Sequence, residues 1–471
     1  MKTSLALLAA IVIGAAVSPG LQSADARQRN VVLLVSDDQR PDTIQALGNP
    51  RIQTPNLDRL VATGTAFTRA VCPTPICVTS RAEILTGVNT FQNGMRYGDG
   101  RMKPELTTIG QAFQSAGYLT CYVGKWHTKG RPSDHGYTES IGLYSGGGGA
   151  WMDPEAKDVH GRAVTGYRGW IFQTDAGEKF PQRGVGLTPD ISADFADAAI
   201  ELIERKPDRP YFLHVNFTAP HDPLLPTPEF ASRYAADELP LPGNYRQRHP
   251  FDHGNFDGRD EKLLPWPRTP ADVRADLAAY YAVISHLDAQ VGRILDALDE
   301  SGQAENTIVL YTSDHGLAVG SHGLRGKQNM YEHTIGVPML LRGPGVPAGQ
   351  KLSAQVYLRD LYPTLCELSG VSIPESVQAK SMVPLLDGKA EQIHPEAYAY
   401  FRDVQRMVRT DRFKLIYYPH LDRWQLFDIV NDPLELTDLS AVPQYADQLA
   451  ELQGKLQRWR KSVGDPLLAG E

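Results

Sequence analysis

CVTSRAEILTG, residues 77–87, joins two kinds of backbone. Ahead of it, residues 71–76 are apolar and include Pro73 and Pro75. Proline disfavours helix in the residue before it, so this approach is extended. Within the stretch Ala82, Glu83, Ile84 and Leu85 are good helix formers, and Gly87 is a natural stop. Cys77 therefore opens a helix, where free N–H groups and the dipole favour negative charge. Arg81 stands one turn on, on the same face. A polarised sulfur beside a fixed cation at an anion-receptive helix end suits an anionic ester substrate. Two plainer readings stand beside this one: a small Cys72–Cys77 disulfide loop, or an inert core thiol at Cys77.

The rest of the chain adds weight to the chemical reading. Val31 to Ser36 (VVLLVS) has the look of a strand buried on both faces, and Asp37 and Asp38 follow at once. Adjacent carboxylates repel, and a bound cation is one reason for them to coexist; two solvated loop acids are the simpler one. The strand Tyr118 to Val123 runs into Gly124-Lys125-Trp126-His127, and the strand Tyr211 to Phe217 into Thr218-Ala219-Pro220-His221. The strand Thr307 to Thr312 runs into Ser313-Asp314-His315-Gly316, with Lys327 in the glycine-rich loop beyond. In an open α/β sheet, sites form at the carboxyl ends of strands. One such coincidence means little; four argue for a site. Asn216-Phe217-Thr218 also fits a glycosylation sequon, but it ends a buried strand.

Helices are expected at Thr54-Pro55, Leu106 to Ala116, Thr188-Pro189 and Thr269-Pro270, where Thr-Pro openings and apolar periodicity coincide. Alternating strands and helices predict an α/β fold. Residues 130–183 read as irregular, with the tetraglycine Gly146 to Gly149 and the aromatics Tyr144, Trp151, Tyr167 and Trp170; such insertions often line a site. Residues 225–267 read as a surface excursion. From about Glu396 short alternating runs (397–401, 405–409, 413–418 and 424–427) read as an antiparallel meander, closed by a helix near 445–459.

With 471 residues, 42% hydrophobic and 22% charged, the chain has room for one large domain and a small one. A net charge of −8 argues against nucleic-acid binding, though not against an anion held in a local basic pocket. Lys2, the apolar run Leu5 to Val17 and Ala24-Asp25-Ala26 read as an export signal, which places the mature chain in a periplasm or outside the cell. The run is too short to span a bilayer, and no later segment is suited to it. Four cysteines (Cys72, Cys77, Cys121 and Cys366) are too few for a disulfide scaffold, and Cys121 reads as a buried strand residue.

The stretch at Cys77 resembles the type I sulfatase signature Cys-x-Pro-Ser-Arg followed by a helix ending in Thr-Gly. Cys77, Ser80, Arg81, Thr86 and Gly87 match; Thr79 stands where the family usually has proline, which bears on recognition by the maturation enzyme. GKWH at 124–127, His221, the Asp314-His315-Gly316 motif with Lys327, and the tail from RMVRTDRFKLIYYP onward resemble further family segments, in the family's order.

The resemblance implies an alkaline-phosphatase-like fold: a large mostly parallel sheet flanked by helices, with a small C-terminal antiparallel sheet and helix. With the export signal taken as 1–26, the organisation expected is a catalytic domain at 27–385 and a subdomain at 386–471. The resemblance also implies that a maturation enzyme, a transient partner, oxidises Cys77 to formylglycine. One hydroxyl of the hydrated aldehyde would attack sulfur, and loss of the second hydroxyl proton would expel sulfate. Arg81 would steady the hydrate, Lys125, Lys327 and His221 would contact sulfate, and His127 would be the base of the second step. Asp37, Asp38, Asp314 and His315, with residue 77, would hold one divalent cation. Donor chemistry alone leaves the metal open, since three carboxylates favour a hard ion and an imidazole favours zinc, iron or manganese; the family implies calcium.

The substrate expected is a sulfate ester on a carbohydrate. The alternatives are a phosphodiester or phosphonate-monoester hydrolase of the same fold, and a non-catalytic binder of sulfated glycans. Tyr144, Trp151, Arg402 and His420 are candidate selectors, each equally open to a structural role.

Overall fold

Val31, Val32, Leu33, Leu34 and Val35 are all fully shielded from solvent, and they alternate between two separate cores. In the computed structural model, which describes residues 28–98 and 100–469, this strand lies at the middle of the molecule. The expected export signal at 1–26 lies outside the described residues.

Nine strands form the large sheet: β1 (Asn30–Ser36), β2 (Thr65–Val71), β3 (Leu119–Lys125), β4 (Glu139–Gly146), β5 (Trp170–Phe172), β6 (Tyr211–Asn216), β7 (Thr307–Ser313), β8 (Met339–Arg342) and β9 (Gln350–Tyr357). Their order is β5-β4-β3-β6-β1-β7-β8-β2-β9. All neighbours from β4 to β7 in that order are parallel, as is the pair β2 and β9; β8 and β5 run against their neighbours. The four strands that the sequence marks with polar ends are thus consecutive: β3, β6, β1, β7.

The even-numbered face of β1 packs with the helices Pro55–Thr63, Ile191–Glu204 and Pro270–Glu300. The odd-numbered face packs with Cys77–Thr86, Ile109–Ser115 and Leu361–Ser369. Nine of the ten residues in Cys77–Thr86 are buried, so this helix is wrapped by protein and shows no one-sided pattern. Gly87 ends it with φ 65 and gives its N–H to the Glu83 carbonyl, a left-handed cap that a side chain would strain. The helix expected from Leu106 starts at Ile109, because Thr108 and Gln111 form a reciprocal cap there.

Four strands, β10 (Ala397–Phe401), β11 (Gln405–Arg409), β12 (Phe413–Tyr418) and β13 (Arg423–Asp428), make the small antiparallel meander. One face takes Leu452 and Leu456 of the helix Ala446–Val463. The other, through Ala399, Phe401, Met407 and Ile416, packs on Leu324, Met330 and Tyr331 in the loop after β7. Buried charge ties the same parts together: Glu332 accepts from Arg409 at 2.6 Å and Lys414 at 3.1 Å. His322 stacks on Tyr331 with ring centroids 3.8 Å apart, and His249 lies 3.0 Å from the Tyr331 hydroxyl.

Four readings of the sequence are decided by the structure, two of them as corrections: the irregularity of 130–183 and the role of Tyr144. Residues 130–183 are not uniformly irregular: β4 and β5 extend the large sheet there. β4 is only half buried and contains two glycines, so it lacks the apolar run that marks an inner strand. Tyr144 is fully buried in the core among Phe172 and Phe195, not a selecting surface. The sequon at Asn216 is inaccessible, since Asn216 is buried and its side-chain oxygen accepts from Arg81. All four cysteines are free thiols, so there is no Cys72–Cys77 bridge.

Candidate active site

The register of the central strands explains how distant residues meet. Ser36 pairs with Ser313, and Val35 and Gly124 both pair with Asn216. The next residues along each strand, Asp37, Asp314 and Lys125, therefore emerge side by side at one sheet edge. Gly124 sits at the irregularity where β3 shifts register against β4; with φ 86, a Cβ there would lie 2.1 Å from the Asn216 carbonyl oxygen. Only glycine permits that approach.

The Cys77 helix delivers the sulfur from one face. Cys77 Sγ lies 3.4 Å from His315 Nε2 and 3.4 Å from Lys327 Nζ, with the His127 imidazole beside it. Lys125 donates to Asp37 at 2.6 Å, and Lys327 donates to both oxygens of Asp38 at 2.8 and 3.0 Å. Arg81 Nε donates to Asp314 at 3.0 Å, and Ser80 donates to the Asp314 carbonyl at 2.6 Å. His315 Nδ1 lies 3.2 Å from Asp38, and His221 Nε2 lies 3.9 Å from it. All ten residues singled out from the sequence as catalytic or metal-binding thus fall in one cluster. Thr79 donates its hydroxyl to the Ile76 carbonyl at 2.7 Å, within the first turn of the helix.

Electrostatics follow from this crowding. Burial alone would raise the Cys77 thiol, but Lys125, Lys327 and His315 outweigh it and hold the thiol well below its ordinary range. Burial and Cys77 push Asp37 up, yet Lys125, His221 and Arg81 keep it below the usual carboxylate range. Asp314 goes the other way, raised by burial and by Asp37. Burial lowers the His127 imidazole, leaving it neutral and able to accept a proton.

Ligand atoms of Asp37, Cys77, Asp314 and His315 all lie within 4.8 Å of one another, and so do those of Asp38, Cys77 and His221. Asp37 Oδ1 is buried without a hydrogen-bond partner among the described residues. A buried carboxylate oxygen without a hydrogen bond is costly, and Arg81 Nη2 comes only to 3.8 Å of this one. A divalent cation between these carboxylates would satisfy it, so the donor set fits one hard ion.

The structure also brings in groups that the sequence did not single out as catalytic or metal-binding. Tyr167, in the left-handed region at φ 56, donates to Asp37 and packs edge-on against His221, with centroids 4.7 Å apart. Asn216 accepts from Arg81, and Asp222 pairs with His221 Nδ1 at 3.2 Å. Of the candidate selectors, Arg402 lines the cavity over the site, while His420 Nε2 binds the Asp252 carbonyl at 3.0 Å. Trp151 is half exposed and does not line that cavity.

An alkaline-phosphatase-like sheet with carboxylates, lysines and a helix-start cysteine at its strand ends defines an ester hydrolase of the class that splits charged oxyacid esters. The comparisons narrow it. The sulfatase family profile matches residues 29–371, and that of the N-sulphoglucosamine sulphohydrolase C-terminal region matches 320–462. An arylsulfatase of Clostridium perfringens is 30% identical over 94% of this chain and 97% of its own. An N-acetylglucosamine-6-O-sulfatase of Bacteroides thetaiotaomicron is 27% identical, over 98% of this chain and 91% of its own. The solved phosphonate monoester hydrolase of Agrobacterium radiobacter shares the fold, with TM-score 0.77 and 22% identity, over 92% of this chain and 96% of that one. The chain belongs to the sulfatase family. It is a sulfuric ester hydrolase.

Proposed function

We propose that the protein, exported by residues 1–26 and built as a catalytic domain (27–385) with a C-terminal subdomain (386–471), removes sulfate from a carbohydrate ester. The observation that carries this is the cluster itself: one sulfur at a helix start, two lysines and four side chains able to hold a cation at one sheet edge. The sugar assignment is supported by the relative that acts on N-acetylglucosamine 6-O-sulfate.

Residue 77, oxidised to formylglycine, would supply a hydrated aldehyde as nucleophile, and a divalent cation, taken as calcium, would make its hydroxyl more acidic. Asp37, Asp38, Asp314 and His315 would hold that cation. Arg81, fixed by Asp314 and Asn216, orients residue 77. Lys125, Lys327 and His221 surround the sulfate and stabilise the charge that moves onto its oxygens. His127, its imidazole kept neutral by burial beside residue 77, would take the proton whose loss releases sulfate.

The test is peptide mass spectrometry of the Cys77 segment after co-expression with a maturation enzyme, alongside desulfation of aryl and sugar sulfates. An aldehyde at 77, with activity that chelation abolishes and calcium restores, is the expected result. Unmodified thiol with no turnover overturns the reading. Rates on a sulfate and a phosphonate ester with one leaving group separate it from phosphonate hydrolysis, the activity of the Agrobacterium protein that shares the fold. Glycan binding that survives Cys77→Ala without turnover would instead mark a non-catalytic binder.

A further inference from the structure

A cavity of about 730 Å³ reaches the site. Ile76 and Val78, the neighbours of Cys77, line it together with His127, and Arg402 lines it from the turn between β10 and β11. A space of that size takes a saccharide, not merely the ester group.

Most polar groups on its wall already have partners. Arg259 forks onto both oxygens of Asp222 at 2.8 Å, and the Tyr97 hydroxyl donates to Asp403 at 2.5 Å. Asn255 donates to Gln328 at 3.1 Å, and Gln328 donates to Asp260 at 3.0 Å. Arg402 differs. Its side chain is exposed, and it has no carboxylate partner among the described residues.

Its backbone, by contrast, is held firmly. Arg406 donates to the Arg402 carbonyl and to Asp403, and is itself gripped by Asp465 at 2.7 and 2.9 Å. Arg402 also stands at φ 43, where glycine or asparagine fits more readily. A fixed frame thus presents to the cavity of an otherwise acidic protein a guanidinium whose contact is with the Phe401 ring, 5.4 Å away, and which has no carboxylate partner among the described residues. That head group matches the planar or tripodal oxygens of carboxylate and sulfate. Asp252 and Asp257 line the same space and repel a densely charged chain, so one anion beside the scissile sulfate is the better fit.

We propose that Arg402 reads a second anionic group, carboxylate or sulfate, on the same saccharide that carries the scissile ester. The proposal rests on the sulfatase reading above and names its substrate class. The test compares the matured wild type with Arg402→Ala and Arg402→Lys. The substrates are 4-nitrophenyl sulfate and a panel of 2-, 3-, 4- and 6-sulfated hexoses, each with and without a second sulfate or a linked uronate.

Wild type should prefer a dianionic member over its monoanionic counterpart, and the sulfate and uronate arms tell which anion is read. Arg402→Ala should raise KM for that member about tenfold or more, with kcat nearly kept and the aryl sulfate within about twofold. Arg402→Lys should recover part of the loss, and added salt should shrink the difference. Equal losses on every substrate would make Arg402 a structural residue and overturn the proposal. So would a wild type that turns over aryl sulfate but prefers no dianionic sugar, an outcome that leaves the sulfatase reading intact. No turnover on any member would remove both.

Discussion

Lys327 touches both halves of the site, the Asp38 carboxylate and the Cys77 sulfur. A group aimed at developing charge in a buried site is worth far more than in water, so Lys327→Ala should lower kcat about 10²- to 10³-fold; steady-state assays with circular dichroism as a folding control check this. Tyr167→Phe is subtler. It removes only the hydroxyl that binds Asp37. A hydrogen bond to a charged group contributes about 1.5–3 kcal/mol, so kcat/KM should fall about 10- to 100-fold with the fold intact; an unchanged value would show the contact to be idle. The contrast between these residues also explains what a sequence discloses. Asp37, Asp38, Lys125, Asp314 and His315 end or follow apolar strands, where polar side chains stand out. Tyr167 is one aromatic among several in a glycine-rich insertion, and nothing local distinguishes it from Tyr144, which is core. Asn216 looks like the last residue of a strand, and its bond to Arg81 depends on strand order alone.

At the scale of elements, the helix Cys77–Thr86 depends on Glu83 as much as on its apolar contacts. Glu83 is fully buried, accepting from the Thr90 N–H at 3.0 Å and from Arg359 at 2.9 Å. Glu83→Ala leaves Arg359 without its partner, and breaking a buried pair costs about 3–5 kcal/mol. Thermal melts should show that loss, while Glu83→Ala with Arg359→Leu should lose less than the two changes summed. Elements were legible where period and caps agreed: the helix begins at Cys77 and ends before Gly87, and β10, β11 and β12 have the limits that alternation predicts. β2, β8 and β9 were not foreseen. β8 has four residues, and β9 starts with an exposed, polar half, so neither repeats for long enough to register.

Across the whole molecule, acid should act where the two sheets meet. Burial lowers His249 to about 4 and His322 to about 3, so both are neutral in the native state. Unfolded, each takes up a proton near pH 6.5. Their contribution is therefore complete above pH 6.5 and is lost as pH falls towards 4 and then 3. The slope is about 1.4 kcal/mol per pH unit for each histidine. His322→Phe, which keeps the stack on Tyr331, should flatten the fall of Tm between pH 6.5 and 4; an unchanged slope would place the acid sensitivity elsewhere. The large-scale organisation itself, an α/β body and then a β-rich tail, was readable from the change in pattern near residue 396. How the tail grips the loop bearing Lys327 was not, because that contact pairs segments distant in the chain.

The central place of β1 has a consequence during synthesis. Its two neighbours, β6 and β7, come much later in the chain, and about 180 residues separate Ser36 from Asn216. At about 5–20 residues per second, an all-apolar segment with both edges bare waits roughly 10–40 s on the ribosome before its first partner exists. Such a segment is an invitation to wrong pairing, so yield in a heterologous host should depend on how well nascent chains are shielded over that interval.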